Sequence, residues 1–184
     1  MTAPRLTGTV KAAQSRRLHF LMRDGTFIEG SVRIGEDQSL VSFLQSRRGG
    51  WMNVMSGRRP KTDEPAAYMI MQTDHIIFVT APDHDVQVVA SQGTATGPGR
   101  AVEFVLVGGK TLRGLLYGAA RQRLSDVVRG AGRFTPIAKA TLVPDGRLLG
   151  DVALHTGAIA FARDNSTAGA PPEESAPDKA DEGE

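Results

Sequence analysis

The polar side chains of this 184-residue chain offer few options for catalysis. There is no cysteine, which excludes thiolate metal sites, cysteine nucleophiles and disulfides. Asp74 precedes His75, and the run Asp83, His84 and Asp85 groups potential metal ligands closely. Because neighbouring residues of an extended segment point to opposite faces, the histidine would not join the two carboxylates around one ion. We therefore predict no metal site and no cofactor.

Motifs for a nucleophile or a bound phosphate are also missing from the sequence. No G-x-S-x-G is present, and the glycine-rich segment GTATGPG at 93–99 lacks the Lys-Ser/Thr ending of a phosphate loop. Asp63 and Glu64 stand side by side in a loop rather than across a cleft, which does not suit general acid–base catalysis. We predict that the protein is not an enzyme and has no catalytic residue.

Basic residues near the single tryptophan suit phosphate binding and base stacking. They form three clusters in the first half of the chain, with the tryptophan between two of them: Arg16, Arg17, Arg47, Arg48, Trp51, Arg58, Arg59 and Lys61. The other interpretation is that the arginines are simply solvated and that Trp51 belongs to the core. We favour the second interpretation and keep nucleic-acid binding as the alternative.

Charge divides the chain into a basic body and an acidic tail. Residues 164–184 carry seven acidic side chains and one lysine, which leaves 21 basic and 13 acidic side chains, a net charge of +8, in residues 1–163. Because the tail has no large apolar side chain, we predict that it is disordered. The N-terminus lacks the apolar core of a signal peptide, and no apolar run is long enough for a membrane span. We expect a cytoplasmic protein without membrane contact.

The elements that carry these residues form two copies of one unit. A shift of 84 residues aligns three pairs: Phe20 with Phe104, Gly25 with Gly109, and Gly30 with Gly114. Later in the unit, Trp51 aligns with Phe134 at a shift of 83, and Ile77 with Ile159 at a shift of 82. The coincidence of apolar positions indicates an internal duplication.

Periodicity predicts the order β-β-α-β-β-β in each copy. HFLMRDGTFIEGSVRI alternates apolar and polar residues around a glycine turn, which is typical of a hairpin. Gly25 and Gly109 suit the turn, whereas Gly30 and Gly114 lie inside the second strand and indicate a bend. QSLVSFLQSRRG has apolar residues at helical spacing, and VQVVA at 86–90 could add a short edge strand.

Five antiparallel strands that bend at a glycine can close into a small barrel. The predicted fold class is therefore mainly β with short helices. It consists of two tandem small five-stranded antiparallel β-barrel-like units, each with a short helix after strand 2. The predicted domains are a first repeat at 1–83, a linker at 84–101, a second repeat at 102–163 and the acidic tail at 164–184.

Two segments, HFLMRDGTFIEGSV and EFVLVGGKTLRGLL, resemble the first motif of Sm-like proteins, including the bacterial Hfq branch. They share alternating apolar residues, a glycine turn and a second glycine five residues later. MNVM at 52–55 is similar to the Met-Asn end of that motif, and TDHIIFV and HTGAIAF stand where closing strands would lie. The resemblance implies a tandem Sm-like, or otherwise SH3-like, small barrel. The RNA-binding residues of the family are not carried over to this chain.

These patterns favour a non-enzymatic binding or assembly module. A duplicated barrel would present a pseudo-symmetric surface to a protein partner or to another copy of the chain. The alternative is an Sm-like RNA-binding protein that uses the arginine-rich face of the first repeat.

Overall fold

The computed structural model describes residues 13–58, 65–83, 86–88, 99–118 and 122–165. Several sequence predictions lie outside these residues, namely those for Arg59, Lys61, His84, Asp85, most of the linker and nearly all of the acidic tail.

Within the described ranges, ten strands and two short helices follow the order predicted for the two copies. Unit 1 contains β1 (Ala13–Met22), β2 (Phe27–Gly35), α1 (Leu40–Gln45), β3 (Trp51–Arg58), β4 (Pro65–Gln72) and β5 (Ile76–Thr80). Unit 2 contains β6 (Gly99–Leu106), β7 (Thr111–Tyr117), α2 (Leu124–Gly130), β8 (Phe134–Val143), β9 (Arg147–His155) and β10 (Ile159–Asp164). Single 3-10 turns, at Arg48–Gly50, Thr73–His75 and Thr156–Ala158, precede β3, β5 and β10. The first strand of unit 2 begins inside the predicted linker.

All ten strands belong to one antiparallel sheet, in the order β10-β6-β7-β8-β9-β5-β1-β2-β3-β4. Each unit has the same internal order, with its fifth strand beside its first and its fourth strand at the opposite end. The two units join where β5 pairs with β9. The topology therefore repeats as the sequence does.

The mainly β class with short helices is confirmed, but the sheet does not close into barrels. The fifth strand of unit 1 pairs with β9 of unit 2 rather than with its own fourth strand, so hydrogen bonding continues from one unit into the next. The sheet remains open, with β10 and β4 as its two terminal strands.

The strand register corrects the alignment of the repeat by one residue at its last strand. Phe20 lies opposite Val79 in unit 1, and Phe104 lies opposite Ala162 in unit 2. Val79 therefore corresponds to Ala162 at a shift of 83, because the two 3-10 turns before these strands have equal lengths. The alignment of Ile77 with Ile159 at a shift of 82 is therefore wrong by one residue.

The paired glycines lie at the turns and irregularities of the two first hairpins. Gly25 and Gly109 have φ values of 80° and 81°, which glycine adopts at no steric cost. The register of β2 against β3 shifts at Gly30, and that of β7 against β8 shifts at Gly114. A β-carbon on Gly30 would lie 2.2 Å from Val54 Cγ1, so the strands approach each other closely there.

Helix α1 is anchored by the segment that follows unit 1. The Ser39 hydroxyl accepts a hydrogen bond from the Ser42 N–H and caps the helix. The N–H of Leu40 donates to the carbonyl of Gln87 at 2.9 Å, and Val86 and Val88 are buried in the same core. In its described part, residues 86–88, the segment VQVVA packs at the helix N-terminus and is not an edge strand. Among the described residues, no helix has the length and apolar character needed to cross a bilayer.

We expect Gly114→Ala to destabilise the fold. Its new methyl group would lie 2.5 Å from Ile137 Cγ2 and 2.8 Å from the Ala138 carbonyl oxygen, and the backbone atom cannot move aside easily. The free energy of unfolding, measured with urea, should fall by about 1–3 kcal/mol. Gly130→Ala is the matched control, since its methyl group meets nothing within 4 Å. Equal stabilities of the two variants would contradict this account of the bend.

Candidate interaction site at the junction and the sheet edges

The junction is the antiparallel pair β5–β9, where unit 1 meets unit 2. Its register places Phe78 opposite Leu154, Val79 opposite Ala153 and Thr80 opposite Val152. Thr80 is 6% exposed, and the other five residues are 0% exposed. The Thr80 hydroxyl donates to the carbonyl of Leu149 at 3.0 Å, beyond the paired residues. The junction is thus a fully covered strand pair.

Side chains from each unit enter the core of the other at this junction. Phe134 and Ala153 of unit 2 belong to the core cluster of unit 1. Leu21, Ile77 and Phe78 of unit 1 belong to the core cluster of unit 2. Because burial of apolar area is the main favourable term in such packing, the two units stabilise each other.

Helix α1 also spans the junction, because its C-terminal end packs on β8. The Gln45 side-chain amide donates to the carbonyls of Ala131 at 2.5 Å and Phe134 at 3.0 Å. Three of the four apolar residues of α1, namely Leu40, Phe43 and Leu44, are buried, whereas α2 has no buried residue. The two equivalent helices therefore differ in burial, and α1 packs on a strand of the other unit.

A charged cluster lies at the end of the junction, around Asp74. The Arg133 guanidinium bonds the Asp74 carboxylate and donates to the Thr73 hydroxyl at 2.9 Å. Arg23 donates to the Asp74 carbonyl at 2.7 Å and to the Gly157 carbonyl at 2.9 Å, which connects the two 3-10 turns. The hydrogen bond from Arg133 lowers the pKa of the Asp74 carboxyl, so this carboxyl is charged at neutral pH.

His155 is buried beside this cluster, with its ring edge-on to Phe134 at 4.9 Å between centroids. Its Nδ1 accepts a hydrogen bond from the Gly157 N–H at 3.0 Å, which assigns the proton of the neutral ring to Nε2. Nε2 lies 3.6 Å from an Asp74 carboxylate oxygen. Burial lowers the pKa of His155 below 6.5, and Asp74 offsets only part of that effect. The ring is therefore neutral at pH 7.

The two ends of the sheet expose the positions that the junction buries. Ile70 on β4 corresponds to Ala153, and their exposures are 60% and 0%. Phe161 on β10 corresponds to Phe78, and theirs are 56% and 0%. Trp51, at 56%, corresponds to the fully buried Phe134. These three edge residues thus repeat positions that pack inside the other unit at the junction.

An ion-pair network holds β10 against the rest of unit 2. The buried Glu103 carboxylate on β6 bonds Arg113 and Arg163, each at 2.6 Å. The Arg113 hydrogen bond, together with Arg163, lowers the pKa of Glu103. Since Arg163 lies on β10 itself, these bonds fix one side of that strand and leave its outer backbone edge unpaired within the described sheet.

The basic residues predicted as a nucleic-acid site are spread over unit 1. Arg16 and Arg17 lie on β1, where Arg17 forms an ion pair with Asp83 at 3.0 Å. Arg47 lies over the Phe43 ring, with 4.1 Å from its guanidinium carbon to the centroid. The exposed Arg58 lies at the opposite end of the eight-residue strand β3 from Trp51, about 20 Å away along an extended chain.

The remaining members of that set, the Arg48 side chain and residues 59 and 61, lie outside the described structure. The interpretation of Trp51 as a core residue is wrong, because its side chain is more than half exposed. The alignment of Trp51 with the buried Phe134 suggested a core position. Phe134, however, packs against the other unit at the junction, and Trp51 has no such unit beside it in the described structure.

Within the described ranges, no three His, Asp or Glu side chains converge as a metal site would require. His19 Nε2 lies 3.0 Å from a Glu29 carboxylate oxygen across β1 and β2, and burial lowers the pKa of His19. The sequence prediction did not include the edge residues Ile70 and Phe161. The sequence repeat could have identified them, because each aligns with a residue of the other unit that is buried at the junction.

The comparisons with known proteins give no relatives. No family model matches the chain, no curated protein matches it, and no solved structure matches it.

We expect mild acid to weaken the junction through His155. The folded-state pKa lies below the unfolded value of 6.5, so the unfolded chain binds more protons once the pH falls below about 6.5. The free energy of unfolding should therefore decrease as pH falls from about 7 to 5, and protonation at Nδ1 would break the bond from Gly157. His19 contributes with the same sign.

His155→Gln introduces the residue that unit 1 has at the equivalent position, Gln72. Its urea-unfolding free energy should vary less with pH over this range than that of the unmodified chain. His75→Gln, at an exposed histidine, is the matched control. If the two variants retain the same pH dependence, the role assigned to His155 is wrong.

Proposed function

We propose that this chain is a non-enzymatic assembly module that binds polypeptide partners by β-strand addition at its two open edges, β4 and β10. The observation that carries the proposal is the contrast between the junction and the edges. Equivalent positions are buried where a strand from the other unit lies beside them and exposed where none does. In this interpretation, each five-stranded unit is open and is covered at its edge by a strand from a neighbouring unit.

The distribution of exposed apolar residues supports this function. Six large apolar side chains are exposed among the described residues: Trp51, Tyr68, Ile70, Val107, Leu148 and Phe161. All except Leu148 lie on or beside a terminal strand. At the β4 end, Tyr68 and Ile70 alternate along the strand and Trp51 lies on the adjacent β3. Grouped apolar exposure of this kind is typical of interaction surfaces.

The chemistry of the β4 edge supports it as well. The strand PAAYMIMQ has no charged residue, whereas edge strands that stay single are usually protected by charges, especially lysine. Strand addition would supply partners for its outer backbone groups, and the alternate side chains would give specificity. An exposed tyrosine, isoleucine and tryptophan can then pack on the partner.

We expect charge at the edges to abolish partner binding. The chain, with an affinity tag, is expressed in its native cells, which keep the untagged chain. Polypeptides that co-purify with it should be lost from the double variant Ile70→Lys and Phe161→Lys. They should be retained by Leu148→Lys, which alters the most exposed leucine on the interior strand β9.

Retention of the same polypeptides by the double variant would overturn the proposal. Nucleic acid is the other informative outcome. If nucleic acid co-purifies, dissociates with added salt and is lost from Arg58→Glu with Arg59→Glu but not from the edge variant, RNA binding replaces the present proposal.

A further inference from the structure

We infer that the partner at these edges is a second copy of this chain, joined head to tail, with β10 of one copy beside β4 of the next. This inference rests on the proposed function and names its partner. The chain already contains one example of the required contact, since β5 and β9 are the fifth strand of one unit and the fourth strand of the other. The two free edges are also a fifth strand, β10 of unit 2, and a fourth strand, β4 of unit 1.

The internal register fixes the register between copies. Phe78, Val79 and Thr80 correspond to Phe161, Ala162 and Arg163 through the pairing of β5 and β10 with their first strands. In the same way, the hairpins β3–β4 and β8–β9 relate Leu154, Ala153 and Val152 to Met71, Ile70 and Met69. Ala162 of one copy therefore lies opposite Ile70 of the next.

At this central pair, the small and the large side chain exchange strands between the junction and the contact between copies. The junction places a larger valine on β5 opposite a small alanine on β9. Between copies, the alanine is on β10 and the larger isoleucine is on β4. In both cases an alanine faces a β-branched side chain, so the contact between copies can pack as closely as the junction does.

The unburied helix α2 has a matching partner in Trp51. At the junction, β8 carries the fully buried Phe134 and contacts α1, in which Leu40, Phe43 and Leu44 are buried. The equivalent residues of α2, Leu124, Val127 and Val128, are only partly buried. In the head-to-tail contact, β3 of the next copy brings Trp51 to this place.

The contact between copies has apolar residues or glycine where the junction has charges. Arg133 and Asp74 correspond to Gly50 and Gly157, and Arg23 corresponds to the exposed Val107. A second copy thus brings no unpaired charge into the contact from these positions. The acidic tail, residues 164–184, is a poor occupant of the same edges because it has no aromatic or large aliphatic side chain.

Engineered cysteines test the register directly, because the chain has no cysteine of its own. Reduced Ala162→Cys protein is mixed with Ile70→Cys protein and oxidised, and the covalent dimer is measured on non-reducing gels. Directly opposite residues meet the distance requirement of a disulfide. We expect efficient cross-linking of the mixture and none of either variant alone.

Ala162→Cys mixed with Tyr68→Cys is the matched control, on the same face of β4 but two residues away. Its diagonal separation of about 7–8 Å should slow cross-linking by at least about tenfold. Equal rates for the two mixtures would overturn the inferred register. Trp51→Ala should raise the dissociation constant measured by sedimentation by at least about tenfold, whereas Leu148→Ala should leave it unchanged.

Sedimentation also separates this inference from the proposed function. A purified chain that stays monomeric at every concentration overturns the head-to-tail contact. The proposed function survives that result if a different polypeptide still co-purifies in a manner that depends on Ile70 and Phe161. It fails together with the inference if no partner depends on these residues.

Discussion

The pairing of β5 with β9 is the contact on which the rest of the structure depends. It converts two five-stranded units into one sheet and carries Phe134 of unit 2 into the core of unit 1. It also explains why the same repeat has two degrees of burial. Phe78 is inside because β9 lies beside its strand, and Phe161 is outside because no strand of the described sheet lies on the outer side of β10.

The charged cluster gives the junction a chemistry of its own. Arg133, Asp74 and Arg23 join the two 3-10 turns, and the neutral His155 is buried next to them. The other copy has glycine at the positions of Arg133 and Asp74. Exposed ion pairs contribute little to stability, and Asp74 is largely exposed, so the cluster is better understood as fixing which two strands meet.

Much of the local structure could be predicted from the sequence, because it depends on neighbouring residues. Alternation around Gly25 and the helical spacing of Leu40, Phe43 and Leu44 both correspond to observed elements. The junction could not be predicted this way, since the pairing of β5 with β9 joins residues about 75 positions apart that no local pattern relates. The same reason explains the errors: Trp51 was assigned by analogy with Phe134, but burial at that position is set by the neighbouring unit rather than by the strand.

The difference between the junction and the proposed contact between copies follows from the cost of association. Within one chain the two units are tethered, so their contact forms at a high effective concentration and tolerates a buried histidine beside a charged cluster. A contact between separate copies must also offset the loss of translational and rotational freedom. Large apolar side chains such as Trp51, Ile70 and Phe161 supply more favourable free energy per residue for that purpose than charges do. Because a head-to-tail contact leaves one edge of each kind free, every addition recreates the surface for the next, and growth ends only if the sheet curves into a closed ring.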